Sequence, residues 1–236
     1  MLLNFIKYIS LLSIFLSSNN LGTISEFEDN YRFEIENAND HYRRIEQEFV
    51  KQSQKYGTDY KFISAIVYPE LIRYSMYRDF FETTALEFFY VQKGSEAANF
   101  SIGMFQIKPS FVEQIEKEVI KYKLNKYLHI TEYSSQNAEE IRSERLNRIK
   151  STKWQITYIN CFYDLIQVKF KEINFTSTNQ KLAFYATAYN HGFNCSKEEI
   201  YKWTKIKSFP NGVDSDEDNY NYSEISQYFY NKLIKR

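Results

Sequence analysis

The sequence predicts a mainly α-helical single domain with one buried central helix and at most a small β-element, and three observations carry that prediction. Only 6 Gly and 3 Pro occur in 236 residues, too few turn formers for a fold built of many short strands. Apolar residues return at intervals of three and four in window after window, which is the period of a helix face and not the alternation of a strand. One stretch, Trp154 to Phe170, is apolar nearly all round, as a helix surrounded by protein must be. Hydrophobic residues make up 43% of the chain, enough for a real core, while Lys+Arg and Asp+Glu both number 30. That balance gives no electrostatic case for nucleic acid or for an anionic membrane surface as a partner.

Residues 1–22 carry Lys7, then the short apolar run Tyr8 to Leu16, then small polar residues, the layout of a secretory signal peptide. The run is short for a membrane span. An uncleaved anchor is the alternative, because no clean Ala-x-Ala site follows. The expectation is an exported protein, periplasmic or extracellular. Its domain spans 23–236, with an N-terminal helix over 26–55, a core over 56–192 and a helical closure over 193–236.

The N-terminal helix has the stripe Ile35, Ala38, Tyr42, Ile45 and Phe49 and is expected to pack beside the next helix. Gly57 breaks it, and Thr58 or Asp59 caps its successor. In that successor Phe62, Ile63, Ile66 and Val67 share one face, and Glu70 falls in the middle of it, with Tyr74 one turn on. A carboxyl group in apolar surroundings loses solvation of its charged form, so its pKa rises and it can hold a proton near neutrality, as a general acid must. On this helix alone the pattern equally fits a Glu that reaches solvent from the rim of the stripe. Pro69 removes a backbone donor inside the pattern and predicts a kink or an end near Glu70.

Residues 75–100 are rich in aromatic side chains, most of them expected to fill the core. Ser110 and Glu113 form a capping-box pattern ahead of a helix with Val112, Ile115 and Val119 on one side. Residues 125–137 read as polar and irregular, and Ala138 to Lys150 as a charged helix with a solvated face. After the central helix, Asn179 to Asn190 carries the stripe Leu182, Ala186 and Tyr189 and is closed by Gly192. The polar stretch 211–221 is a loop, and Ser223 to Ile234 closes the domain with Ile225, Phe229 and Leu233.

Four short motifs stand in order within residues 56–192: Tyr56-Gly-Thr-Asp59, Ala65-Ile66 with Glu70, Gly103-Met104-Phe105-Gln106-Ile107 with Pro109, and Ala188-Tyr189-Asn190-His191-Gly192. Together they resemble the soluble lytic transglycosylases of the lysozyme-like superfamily. The resemblance implies an α+β lysozyme-like fold and the peptidoglycan glycan strand as substrate. It also implies Glu70 as the catalytic acid, and Gln106, Tyr189 and Asn190, with Met104 beside them, as the sugar-binding residues. No metal or cofactor is implied. The chain departs from the family at Pro69, at Leu71, where most relatives have Ser, and in residues 75–100, which look like an insertion.

Two rivals stay open. A lysozyme-type hydrolase needs a second carboxylate, and Asp79, Glu82, Glu87 and Glu96 lie in the inserted segment. A catalytically silent module that binds glycan or scaffolds an envelope complex would also keep the fold. His41, His129 and His191 are far apart in sequence, and no Cys-x-x-Cys occurs, so neither a zinc site nor a catalytic triad has a visible spacing. Cys161 and Cys195 are an even pair, which in an exported chain leads to the expectation of one disulfide between them, two separate buried thiols being the alternative.

Overall fold

The computed structural model describes residues 23–77, 84–215 and 218–235 and is mainly helical, with no sheet among them. The proposed signal peptide and the carboxylates Asp79 and Glu82 therefore lie outside the described residues. None of the described helices is long and apolar enough to cross a membrane.

The expected N-terminal helix is two. Helix α1, Ile24–Asn30, starts at a capping box in which the Thr23 side chain accepts from Glu26 N and the Glu26 carboxylate accepts from Thr23 N. Tyr31 leaves helical geometry, and α2, Arg32–Tyr56, follows and ends at Gly57 with φ of 70°. Only glycine adopts that left-handed conformation without a Cβ penalty. Ile35, Ala38, Tyr42 and Phe49 of its stripe are buried, and α2 packs against α3, Tyr60–Tyr77. The Asp59 side chain caps α3 by accepting from Lys61 N at 2.9 Å, while the Thr58 hydroxyl donates to Asn160. Pro69 does not end α3, which continues to Tyr77. Residues 62–72 are buried without a break, and burial at roughly 25 cal/mol per Å2 outweighs one lost helical hydrogen bond.

Helix α4, Thr84–Lys93, sends Tyr90 into the core but leaves Leu86, Phe88 and Phe89 exposed; Phe100 packs against the core, so the described aromatic side chains of residues 75–100 divide between core and surface. Helix α5, Pro109–Lys121, starts with Pro at its first position and Lys108 as N-cap, so the Ser110 capping box does not form. Ser110 N instead donates to Asn99, and Glu113 accepts from Tyr90 and Ser95. A 3-10 helix, Asn125–Ile130, buries Tyr127 and Ile130 within the stretch expected to be irregular.

Helix α6, Ala138–Lys150, is not simply a solvated charged surface, because Arg145 and Arg148 are buried. Arg145 donates to both oxygens of Glu116, to Glu113 and to the Tyr90 hydroxyl, and Arg148 donates to the carbonyls of Ile130 and Glu132. Buried guanidinium groups are tolerated only when their donors are satisfied in this way. Helix α7, Thr152–Lys169, is the central helix and is buried over Gln155–Phe162 and at Leu165 and Ile166, while Lys153, Gln167 and Val168 reach the surface. It is touched by α2, α3, α5 and α6.

Helix α8, Thr178–His191, α9, Lys197–Trp203, and α10, Tyr222–Ile234, complete the fold, with α8 and α10 both packed on α3 and α9 on α8. The small residues Ala186 and Ala188 are fully buried along α8, which is what close approach to a neighbouring helix requires. Gly192 closes α8 by donating its N–H to the Ala188 carbonyl. Cys161 and Cys195 are both free thiols, so the expected disulfide is absent. Cys161 is buried in α7 towards Tyr127 and Asp164, whereas Cys195 lies in the turn after α8 near Glu199 and Lys169. Packing of the two helices does not bring their thiols face to face.

Candidate active site

A groove of about 500 Å3 runs where α3, the 102–107 turn, the start of α5 and the end of α8 meet. It is lined by Glu70, Gln106, Tyr189 and Asn190, with Arg73, Lys108, Phe111 and His191 among the other walls. Four sequence-predicted residues from three separate segments thus share one cavity. Met104 does not line it; its side chain packs against the core instead.

The 102–107 turn is built around one glycine. Ile102 and Ile107 exchange both backbone hydrogen bonds, 2.9 and 3.1 Å, and Gln106 N donates to the Gly103 carbonyl. Gly103 has φ of +69°, and a Cβ placed there would stand 2.0 Å from Gln155 Nε2. Gln155 cannot step aside easily. Its Nε2 donates to the carbonyls of Ile102 and Ile149, its Oε1 accepts from Phe105 N, and it is buried in α7. Gln106 itself has φ of 50°, rare for a side-chain-bearing residue, and its Nε2 is tied to the Gly103 carbonyl at 2.9 Å. Across the groove the Tyr189 hydroxyl donates to the Phe105 carbonyl at 2.7 Å. Tyr189 therefore braces the turn against α8 as well as lining the cavity.

Glu70 is only 3% exposed. Arg73, one turn on, directs a single nitrogen at both carboxylate oxygens, Nη1 to Oε1 at 3.0 Å and to Oε2 at 2.8 Å. This is not the fork in which two guanidinium nitrogens each take one oxygen, the arrangement that makes Arg–carboxylate pairs strong. The Arg73 side chain remains 23% exposed and stacks on Phe209. The Tyr222 hydroxyl, from α10, faces both the carboxyl group and the Ile66 carbonyl, 3.3 Å away. Burial pushes the Glu70 pKa up, while Arg73, Tyr222 and the more distant Lys108 pull it down; burial is the largest effect, and the net direction is upward.

That direction has a stability consequence with a definite sign. A carboxyl whose pKa is higher folded than unfolded binds more protons in the folded state, so stability falls as pH rises through the window between the two values. Glu70→Gln lacks this dependence. We expect the variant to melt at or above the parent at neutral pH, and the difference to vanish once the pH drops below about 4, the ordinary carboxylate range. Melting curves of both proteins across that range check it. A parent that is the more stable at neutrality would mean that the Arg73 pair outweighs burial.

Sequence reasoning missed three features of this region. Arg73 could have been read from its i,i+3 spacing to Glu70. Tyr222 had no local signal, because it arrives from the last helix. His191, Cys195 and Glu199, each four residues from the next, bring an imidazole nitrogen, a sulfur and a carboxylate oxygen within 4.8 Å of one another. Known protein families, curated proteins and solved structures yield no match to this chain.

Proposed function

We propose that the chain is a peptidoglycan lytic transglycosylase that cleaves the β-1,4 bond between N-acetylmuramic acid and N-acetylglucosamine, with Glu70 as general acid and base. One observation carries this reading: a buried carboxyl group with a raised pKa stands in a groove walled by Gln106, Tyr189 and Asn190, the residues that the motif resemblance assigns to sugar binding. Glu70 protonates the glycosidic oxygen as the bond to the muramic C1 breaks. The resulting carboxylate then takes the proton of the muramic C6 hydroxyl as that oxygen closes on C1, giving a 1,6-anhydro ring and restoring the acid. General acid catalysis of this kind contributes about a hundredfold to ten-thousandfold.

Hydrolysis is less well supported. Inverting and retaining glycosidases place a second carboxyl roughly 5–9.5 Å from the first, and among the described residues lining the groove Glu70 is the one carboxylate. Glu87 is paired with Lys150, and Glu96 borders a separate pocket. The Arg73 contact, in contrast, is the feature on the side of a catalytically silent glycan-binding module, since an arginine on both oxygens favours the charged form of a carboxyl, here against the larger effect of burial. Removing that cation makes a testable difference. If Glu70 is the acid, Arg73→Met raises its pKa further and carries the alkaline limb of the pH–rate profile upward. An unmoved limb would show that Arg73 does not touch the acid during turnover.

Cosedimentation with purified sacculi, followed by the clearing of their turbidity, separates the two readings. An enzyme both binds and clears. Binding without clearing would leave the silent module.

A further inference from the structure

The turn that leaves α8 places three metal-binding atoms together outside the proposed acid's immediate surroundings. His191 Nε2 stands 2.9 Å from Glu199 Oε1, and with Cys195 Sγ all three lie within 4.8 Å of one another. Among the described residues this is the one group of three His, Cys, Asp or Glu side chains that converges so closely. We propose that His191, Cys195 and Glu199 form a zinc site with three protein ligands and a fourth position open to water or to a bound ligand.

The donor set is the first argument. An imidazole nitrogen, a thiolate and a carboxylate match a borderline-soft, d10 ion, and such a trio is a poor match for calcium or magnesium, which take oxygen ligands. The geometry is the second. With metal–ligand distances of about 2.0–2.3 Å, tetrahedral ligands stand roughly 3.3–3.7 Å apart. The His191–Glu199 pair needs to open by only a few tenths of an ångström to reach that spacing.

Orientation is the third argument. The His191 ring is stacked on Trp203 with centroids 3.9 Å apart, so its plane is fixed from one side. Ser196 caps α9 by accepting from Glu199 N, which fixes the backbone beneath the carboxylate. The ligands follow each other at intervals of four residues across the end of one helix and the first turn of the next. No large rearrangement is needed to close the site. On binding, zinc replaces the thiol proton of Cys195, which passes to solvent, and it takes the place of the direct His191–Glu199 hydrogen bond. Thiolate and carboxylate together supply two negative charges against the ion's two positive ones. Lys169, near Cys195, and Lys202, near Glu199, are opposing cations, and Lys169 is held on the Phe193 carbonyl at 2.7 Å. His191 also lines the groove, so the ion would sit at one end of it.

The test uses the full chain, reduced and stripped with a chelator, then titrated with cobalt(II) as a spectroscopic stand-in and with zinc in competition. We expect one equivalent of cobalt to bind with a near-ultraviolet thiolate-to-metal band, and zinc to displace it. Cys195→Ser removes the band, and both Cys195→Ser and Glu199→Gln weaken zinc binding by at least about tenfold, whereas Cys161→Ser changes neither. All three ligands reach the surface at least in part, so these variants should fold; circular dichroism melting checks this, and Cys195→Ala replaces any variant that fails. Absence of the band in the parent, its loss in Cys161→Ser instead of Cys195→Ser, or equal zinc affinity in parent and variants would overturn the site.

Discussion

Glu70→Gln is expected to abolish cleavage of sacculi, with turnover down by at least about a hundredfold, while binding to the glycan changes little. Gln keeps the shape of the side chain and an acceptor for Arg73 Nη1, but it carries no proton to deliver to a leaving oxygen. The groove is built by backbone and by other side chains, so its walls should survive: Gln106 is tied to Gly103, and Tyr189 to Phe105. Loss of turnover without loss of stability separates a chemical role from a structural one. Clearing of sacculi by the variant at near the parent rate would mean that Glu70 is not the acid, and the carboxylates Asp79 and Glu82 would then have to be tried.

Gly103→Ala should be the most damaging change in the groove wall. A methyl group at φ of +69° strains the backbone by about 1–2 kcal/mol. It also drives Gln155 out of three buried hydrogen bonds, and each buried polar group left unsatisfied costs about 1–3 kcal/mol. A fall in Tm of at least roughly 8 °C follows for a domain of this size. The control is Gly57→Ala, at φ of +70° but with nothing within 4 Å of the added Cβ, which isolates the backbone cost. If both variants lose the same stability, the Gln155 brace carries none of it. Because the turn also holds Gln106 and the carbonyl that Tyr189 bonds, activity should fall further in Gly103→Ala than its melting alone explains.

Much of this was legible in the chain, and the exceptions have physical reasons. The period of three and four marked α2, α3, α5, α7, α8 and α10 because each buries one stripe or more. Glu70 stood out as a carboxylate inside such a stripe, and the motifs gathered Gln106, Tyr189 and Asn190 around it. Pro69 does not end its helix, one of the two outcomes expected of it, since the local cost of a missing N–H is set against the burial of the whole helix, which no local pattern reports. Arg145 and Arg148 misled. A run dense in charge looks solvated unless Glu113, Glu116 and two main-chain carbonyls from other segments are known to meet it. Helix α9 has only seven residues, too few for a period to declare itself. The free state of Cys161 and Cys195 depends on where the turn after α8 carries Cys195 relative to α7, and parity of cysteines says nothing about that.

The mass of the soluble fragments released from purified sacculi by the parent protein tests the central claim most directly. A single acid–base carboxyl in the groove predicts muropeptides ending in 1,6-anhydro-N-acetylmuramic acid, each lighter by one water than its hydrolytic counterpart. Fragments with reducing ends would show that water is the acceptor and that a second carboxylate takes part. Sacculi that bind the protein and release nothing would contradict the enzyme altogether.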